Sequence, residues 1–156
     1  RNNNKKNLKA ITSLARELGF AVSTVHALVM PLERVIDYID ENASSQTLEI
    51  SKILGVTIEE GIEASRDVDL NGRCPYKSNQ LNINADLTVP VCCVVFNRDY
   101  IVAKNYLEST LEQIDIAKQE VDLCKKCMNL NLPQYNMGFS REKWDSYAQA
   151  KDSMDV

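Results

Sequence analysis

Every thiol of this 156-residue chain falls within one stretch of about a third of its length: Cys74 in Arg73-Cys74-Pro75-Tyr76, the adjacent Cys92 and Cys93, and the pair Cys124-Lys125-Lys126-Cys127. Thiolates are soft metal ligands. A C-x-x-C pair on one tight loop offers two of them, with backbone N–H groups close enough to bond the sulfurs. The pair therefore reads as half of a metal or iron-sulfur site. Cys92 or Cys93 can approach from the side, and Cys74 can close the set from the preceding loop. That makes four ligands with one thiol over. Successive strand side chains point to opposite faces, so one of the adjacent cysteines is expected to be a core thiol.

Competing chemistries differ in the spacing they need. Structural zinc modules suit four thiolates but usually use two close pairs, whereas an iron-sulfur cluster accepts ligands from scattered loops. A thioredoxin-like dithiol should follow a strand and open a helix, and here the pair is expected to follow a helix. Cysteines as small buried hydrophobes would not call for a C-x-x-C spacing. An odd cysteine count without the composition of a disulfide-rich small domain points to a reducing cytoplasm.

The elements around the thiols follow from periodicity. Leu8, Ile11, Leu14 and Leu18 form one stripe of a helix over residues 5 to 18, ended by Gly19 and packed by that face. Phe20 to Met30 is β-branched, apolar on both alternating faces and nearly uncharged, the pattern of a buried strand in a parallel sheet. Pro31 then opens a helix with Leu32, Val35, Ile36 and Ile39 on one face. One strand makes no sheet, so its partners are expected outside this chain. Residues 47 to 65 read as two short helices around Gly55. The second carries Glu59, Glu60 and Glu63 against Arg66 alone, which opposes a helix-turn-helix reading because carboxylates repel a phosphate backbone.

Asp67 to Arg73 is polar and marks the expected boundary between residues 1–66 and 67–156. Beyond it, Leu81 to Asn84 and Val89 to Phe96 suggest a β-hairpin joined by Ala85-Asp86-Leu87-Thr88, with Pro90 at an edge or strand start. A helix with Leu107, Leu111, Ile114 and Val121 on one face then delivers the chain to Cys124. Leu130 to Tyr135 reads as loop, and Ser140 as the cap of a short final helix anchored by Trp144 and Tyr147. His26, the sole histidine, reads as a satisfied core or barrel-lining residue, and Asp37, Asp40 and Glu41 as a solvated helix end. Lys104, Lys125 and Lys126 are candidates to offset the negative charge of a thiolate-bound cluster, although exposed lysines are the commoner case. The formal charge is −4 with both signs interspersed, and there is no apolar run of membrane length, so neither nucleic acid nor membrane is an expected partner. The opening Arg1-Asn2-Asn3-Asn4-Lys5-Lys6 without Met suggests a fragment that extends upstream.

The order Cys74-Pro75-Tyr76, Leu81-Asn82-Ile83-Asn84-Ala85-Asp86-Leu87-Thr88-Val89-Pro90-Val91-Cys92-Cys93, Ala103-Lys104-Asn105-Tyr106-Leu107 with Thr110-Leu111-Glu112-Gln113-Ile114, and Cys124-Lys125-Lys126-Cys127 resembles the C-terminal auxiliary-cluster region of radical SAM enzymes, of the SPASM or shorter twitch type. The resemblance covers roughly residues 73 to 130. It implies that Cys74, Cys92, Cys124 and Cys127 ligate one 4Fe-4S cluster, and that residues 5 to 43 are the last βα units of a partial barrel. No cysteines follow Cys127 for a second auxiliary cluster, which makes the pattern twitch-like. The family usually has glycine where Leu87 stands, so a turn of another shape is expected, which loosens the choice of Cys92 over Cys93.

The expected architecture is α+β: the end of a partial α/β barrel, then a small cysteine-rich domain of hairpin plus helix. The resemblance further implies a parent that cleaves S-adenosylmethionine reductively to a radical and acts on a small-molecule or peptide substrate. The C-x-x-x-C-x-x-C loop for S-adenosylmethionine and its own 4Fe-4S cluster is expected upstream, so this chain alone would be inactive. A non-catalytic zinc-binding module is the alternative from another class.

Overall fold

The computed structural model describes residues 4–22, 25–66, 72–137 and 141–154. The architecture is α+β, mostly helical with one small antiparallel sheet. The helices are α1 (Asn4–Glu17), α2 (Leu32–Ile39), α3 (Ser45–Ile53), α4 (Ile58–Ser65) and the one-turn α5 (Pro75–Ser78), then α6 (Leu111–Glu120), α7 (Asp122–Asn129), α8 (Leu132–Met137) and α9 (Arg141–Met154). The strands are β1 (Val89–Pro90) and β2 (Ile101–Ala103).

Local chemistry accounts for most boundaries. Ser44 caps α3 through Thr47 N, and Thr57 and Glu60 form a reciprocal capping box on α4, as do Thr110 and Gln113 on α6. Each satisfies N–H groups that a helix start leaves unpaired. Of the expected α2 face, Leu32, Val35 and Ile36 are buried and Ile39 is half-buried, and α4 buries Ile58 and Ala64 with Ile62 half-buried. One core runs through both halves of the chain. In it Val29, Leu32, Val35 and Ile36 meet Val91, Val94 and Val95, with Leu123, Leu132, Tyr135 and Trp144 behind them. Backbone bonds reinforce that junction, since Leu32 N donates to Val94 O, and Phe96 N and Asn97 N both donate to Glu33 Oε1. Most of the expected boundary, residues 67–71, lies outside the described residues, as does the Ser140 cap.

Several expected elements take another form. No described residue of Phe20–Met30 enters a ladder, and Val25 is 91 % exposed. A strand is held by its neighbours' N–H and C=O groups, and no described segment of this chain pairs with this one in a ladder. The α1 stripe forms, but Leu8, Ile11, Leu14 and Leu18 are exposed rather than packed.

In the hairpin, β1 pairs not with residues 81–84 but with β2, in the register Val89 to Ala103 and Pro90 to Ile101. The turn before β1 is nonetheless closed, by Asn84 N to Thr88 O and Leu87 N to Asn84 O, and it places Leu87 at φ +66°. The expected other shape is thus not adopted; the leucine takes the left-handed conformation itself. The single helix expected before Cys124 is broken into a 3-10 turn, β2, a second 3-10 turn and α6. Asn97 and Asn105 cap the two turns through their side-chain oxygens, leaving Leu107 and Leu111 exposed while Ile114 is buried. Residues 132–137 are helical rather than loop, with Pro133 in the first turn, where its missing N–H costs nothing. The final helix is long, and Trp144 is buried against His26 and Tyr135.

Candidate metal centre

Three segments carry the thiols to one place. Cys74 caps the N-terminus of α5, and its carbonyl accepts from Lys77 N and Ser78 N. Cys92 follows β1 in the run Val91 to Val95, which is buried except at Cys93 and which Val91 N fastens to Tyr100 O. Cys124 and Cys127 sit in α7, not on a turn as the spacing alone suggested. Residues three apart on a helix share a face, so the pair still presents both sulfurs to one side. Cys74, Cys92, Cys124 and Cys127 line one enclosed apolar cavity with walls that include Leu32, Val91, Val94 and Leu123. Cys93, which sequence reasoning could not separate from Cys92, is exposed, and its Sγ donates to Gln80 Oε1 at 3.6 Å.

All five cysteines are free thiols. Burial pushes Cys92 up to about 12, and the neighbouring Cys124, Cys93 and Cys74 add to the rise by like-charge repulsion. Cys127 is raised by burial and by Cys74, Cys92 and Cys124. Cys124 is raised by burial and by Cys74, with Lys77 and Lys118 working in the opposite direction. Tyr76, also on the cavity, is pushed up to about 12 by burial and then by Cys93, Cys74, Cys92 and Cys127. A disulfide-exchange catalyst needs a depressed thiol pKa, and these shifts run the other way. Four thiols that would repel one another as anions are what a metal centre neutralises, at the cost of releasing their protons.

Four thiols are a donor set of the chemical kind that thiolate metal sites use, and their spacing is set by the cavity they line. The cavity offers about 20 Å³ to the centre of a water molecule, roughly the room of one water. A larger group therefore requires one lining segment to move outward, and α5, with no residue buried, has the least packing to lose. Among the described residues no three His, Cys, Asp or Glu side chains form an array tight enough for a single metal ion.

The remaining sequence candidates lie elsewhere. Lys125 pairs with Asp122 at 2.7 Å on the exposed side of α7, Lys126 reaches Asp40 at the end of α2, and Lys104 is exposed. The cations that do reach the thiols are Lys77 and Lys118, which were not singled out. The available signal was that Lys118 stands four residues after Ile114, on the buried face of α6. His26 is part-buried rather than a full core residue, with Nε2 2.7 Å from Asp145 Oδ1 and its ring stacked on Trp144. A wider groove of about 870 Å³ between α2, α3, α4 and α9 holds Glu41, Glu59, Glu60 and Glu63. Three of these carboxylates are already paired, with Tyr38, Lys151 and Arg66. Among the described residues no helix is long and apolar enough to cross a membrane. No family model, no curated protein and no solved structure matches the chain.

Proposed function

We propose that this chain binds one 4Fe-4S cluster through Cys74, Cys92, Cys124 and Cys127, as the auxiliary-cluster part of a radical SAM enzyme of the reducing cytoplasm. The observation that carries the reading is the convergence of these four thiols, out of five, on a single cavity. When bound, such a cluster stores or passes one electron at a potential set by hydrogen bonds, burial and nearby charge. The protein's part is to hold the centre and to set that environment. Leu32, Val91, Val94 and Leu123 keep water away from the sulfurs. Each cubane iron takes one thiolate, so the ligands stand further apart than around one ion, which is compatible with the absence of a tight ion-sized array. In this reading residues 1–66 are a remnant of the partial barrel, whose further units cover the exposed side chains of α1. The substrate is a small molecule or peptide bound by the parent enzyme.

Zinc on the same four thiols is the second reading: the cavity is nearer the size of one ion, and the thiols would have to draw together into the tight array they do not form here. Metal and acid-labile sulfide analysis of anaerobically purified protein separates the two. The cluster reading expects brown protein with about four iron and four sulfide per chain; colourless protein with one zinc establishes the alternative. In either case Cys92→Ser is expected to abolish metal retention and Cys93→Ser to preserve it. Retention in Cys92→Ser with loss in Cys93→Ser overturns the ligand set, and absence of any metal from protein reconstituted with iron and sulfide or with zinc overturns both readings.

A further inference from the structure

Lys118 is 2 % exposed, and its ammonium donates to two backbone carbonyls, Gln80 O at 2.9 Å and Lys77 O at 3.5 Å. Lysine is rarely buried without a counterion, because an ammonium removed from water must recover its solvation elsewhere. Among the described residues no carboxylate pairs with it. The carbonyls it holds lie at and beyond the end of α5, the turn that Cys74 opens, and the neighbouring Lys77 lines the thiol cavity. Two cations from different elements are therefore packed against one wall of a site whose charge would be negative once its thiols ionise.

We infer that Lys118, with Lys77, is the built-in counter-charge of the tetrathiolate centre, anchoring the Cys74 turn and stabilising the more negative state of the bound metal group. The inference rests on the metal-binding reading above and gives Lys118 a positioning and electrostatic role. A purely structural role also has a clear form: an ammonium that satisfies the carbonyls of a short helix end and does nothing else.

Reduction adds one negative charge to the bound group, so a fixed cation nearby raises its midpoint potential. Removing a unit charge beside a buried anion is worth roughly tenfold in such an equilibrium, which for one electron is about 59 mV. The experiment is a spectroscopic redox titration of the iron-sulfur-reconstituted chain and its variants, alongside thermal melts. Lys118→Met is expected to lower the midpoint by about that amount, Lys118→Arg to retain the wild-type value, and Lys77→Met to lower it as well. Lys77, being only half-buried, serves as the charge variant if Lys118→Met does not fold.

Unchanged potentials in Lys118→Met, or in Lys77→Met where the former does not fold, overturn the inference while leaving cluster binding intact; a loss of melting temperature alone identifies the structural role. A wild-type chain that takes up no iron-sulfur group removes the premise and the inference together, and is recognised before any variant is made.

Discussion

Gly61 gives the sharpest test of how the scaffold behind the thiols is packed. It lies in α4, which packs on α8 and α9, and α8 in turn packs on the cysteine helix α7. A Cβ built at Gly61 would meet Tyr135 Cε2 at 2.6 Å, Trp144 Cη2 at 2.8 Å and Tyr135 Cδ2 at 2.9 Å. Carbon atoms in good contact sit about 3.5–4.0 Å apart, and both rings are 1 % exposed, with no solvent side to retreat to. Two opposing effects decide the sign of Gly61→Ala. Helix propensity favours alanine by about 1 kcal/mol, while forcing rings and backbone apart in a filled core costs about 1–3 kcal/mol or more. With contacts under 3 Å to two rigid rings, the upper part of that range applies, and the net expectation is a loss of about 1–2 kcal/mol.

At this chain length that loss corresponds to roughly 2–8 °C in Tm. The assay is urea unfolding followed by fluorescence of Trp144, the single tryptophan, with Gly55→Ala as control. At Gly55 a Cβ meets only Ala148 Cβ at 3.8 Å, so that variant is expected to stay within about 0.5 kcal/mol of wild type. A Gly61→Ala protein as stable as wild type, or more so, would refute the packing argument.

Two further outcomes follow from particular side chains. Burial pushes Tyr135 up to about 12, despite a backbone hydrogen bond from Val29, against 10.0 for the free side chain. Below pH 10 both folded and unfolded chains hold this proton and the contribution is intact. Between 10 and 12 only the folded chain holds it, so stability falls as pH rises, by about 2–3 kcal/mol over the window. The urea midpoint of wild type is therefore expected to drop more steeply than that of Tyr135→Phe over this range, and equal slopes would contradict the assignment. Leu87 adopts φ +66° while 39 % exposed. Relief of about 1–2 kcal/mol of left-handed strain against about 0.5–1 kcal/mol of glycine entropy makes Leu87→Gly neutral to about 1 kcal/mol stabilising. Leu87→Ala should bring no gain, and a clearly destabilised glycine variant in urea melts would show that the turn carries no strain.

The parts of the fold that were legible beforehand are those where local chemistry and periodicity agree. The stripe of α2 and the two short helices around Gly55 each have a signal within a few residues. The errors have equally local causes. Phe20–Met30 has the composition of a buried strand, but composition records what a segment would accept, not whether a neighbour is present to bond it. The helix expected with Leu107, Leu111, Ile114 and Val121 on one face ignored two interruptions written in the sequence, Asn105 and the Thr110-x-x-Gln113 box, each a side chain that takes an N–H group and restarts the chain. For the site, spacing suggested the C-x-x-C pair but not its helical setting. The side on which Cys92 and Cys93 point depends on a short strand paired with residues 101–103, and the approach of Lys118 depends on tertiary packing, so neither could be read from nearby residues alone.

Because Cys124 and Cys127 share one turn of α7, half of the donor set acquires its mutual geometry when that helix forms, without waiting for distant parts of the chain. On the proposed metal-binding reading that pair would act as a bidentate chelate, and capture by two sulfurs would raise the effective concentration of the metal species at the other two. Cys92, held in the core beside β1, is already nearby, whereas Cys74 rides on the most lightly packed turn. If the chain binds a metal group as proposed, the segment that yields to admit it is the Cys74 turn, and Cys74 is the ligand whose exchange would govern how readily the centre is lost.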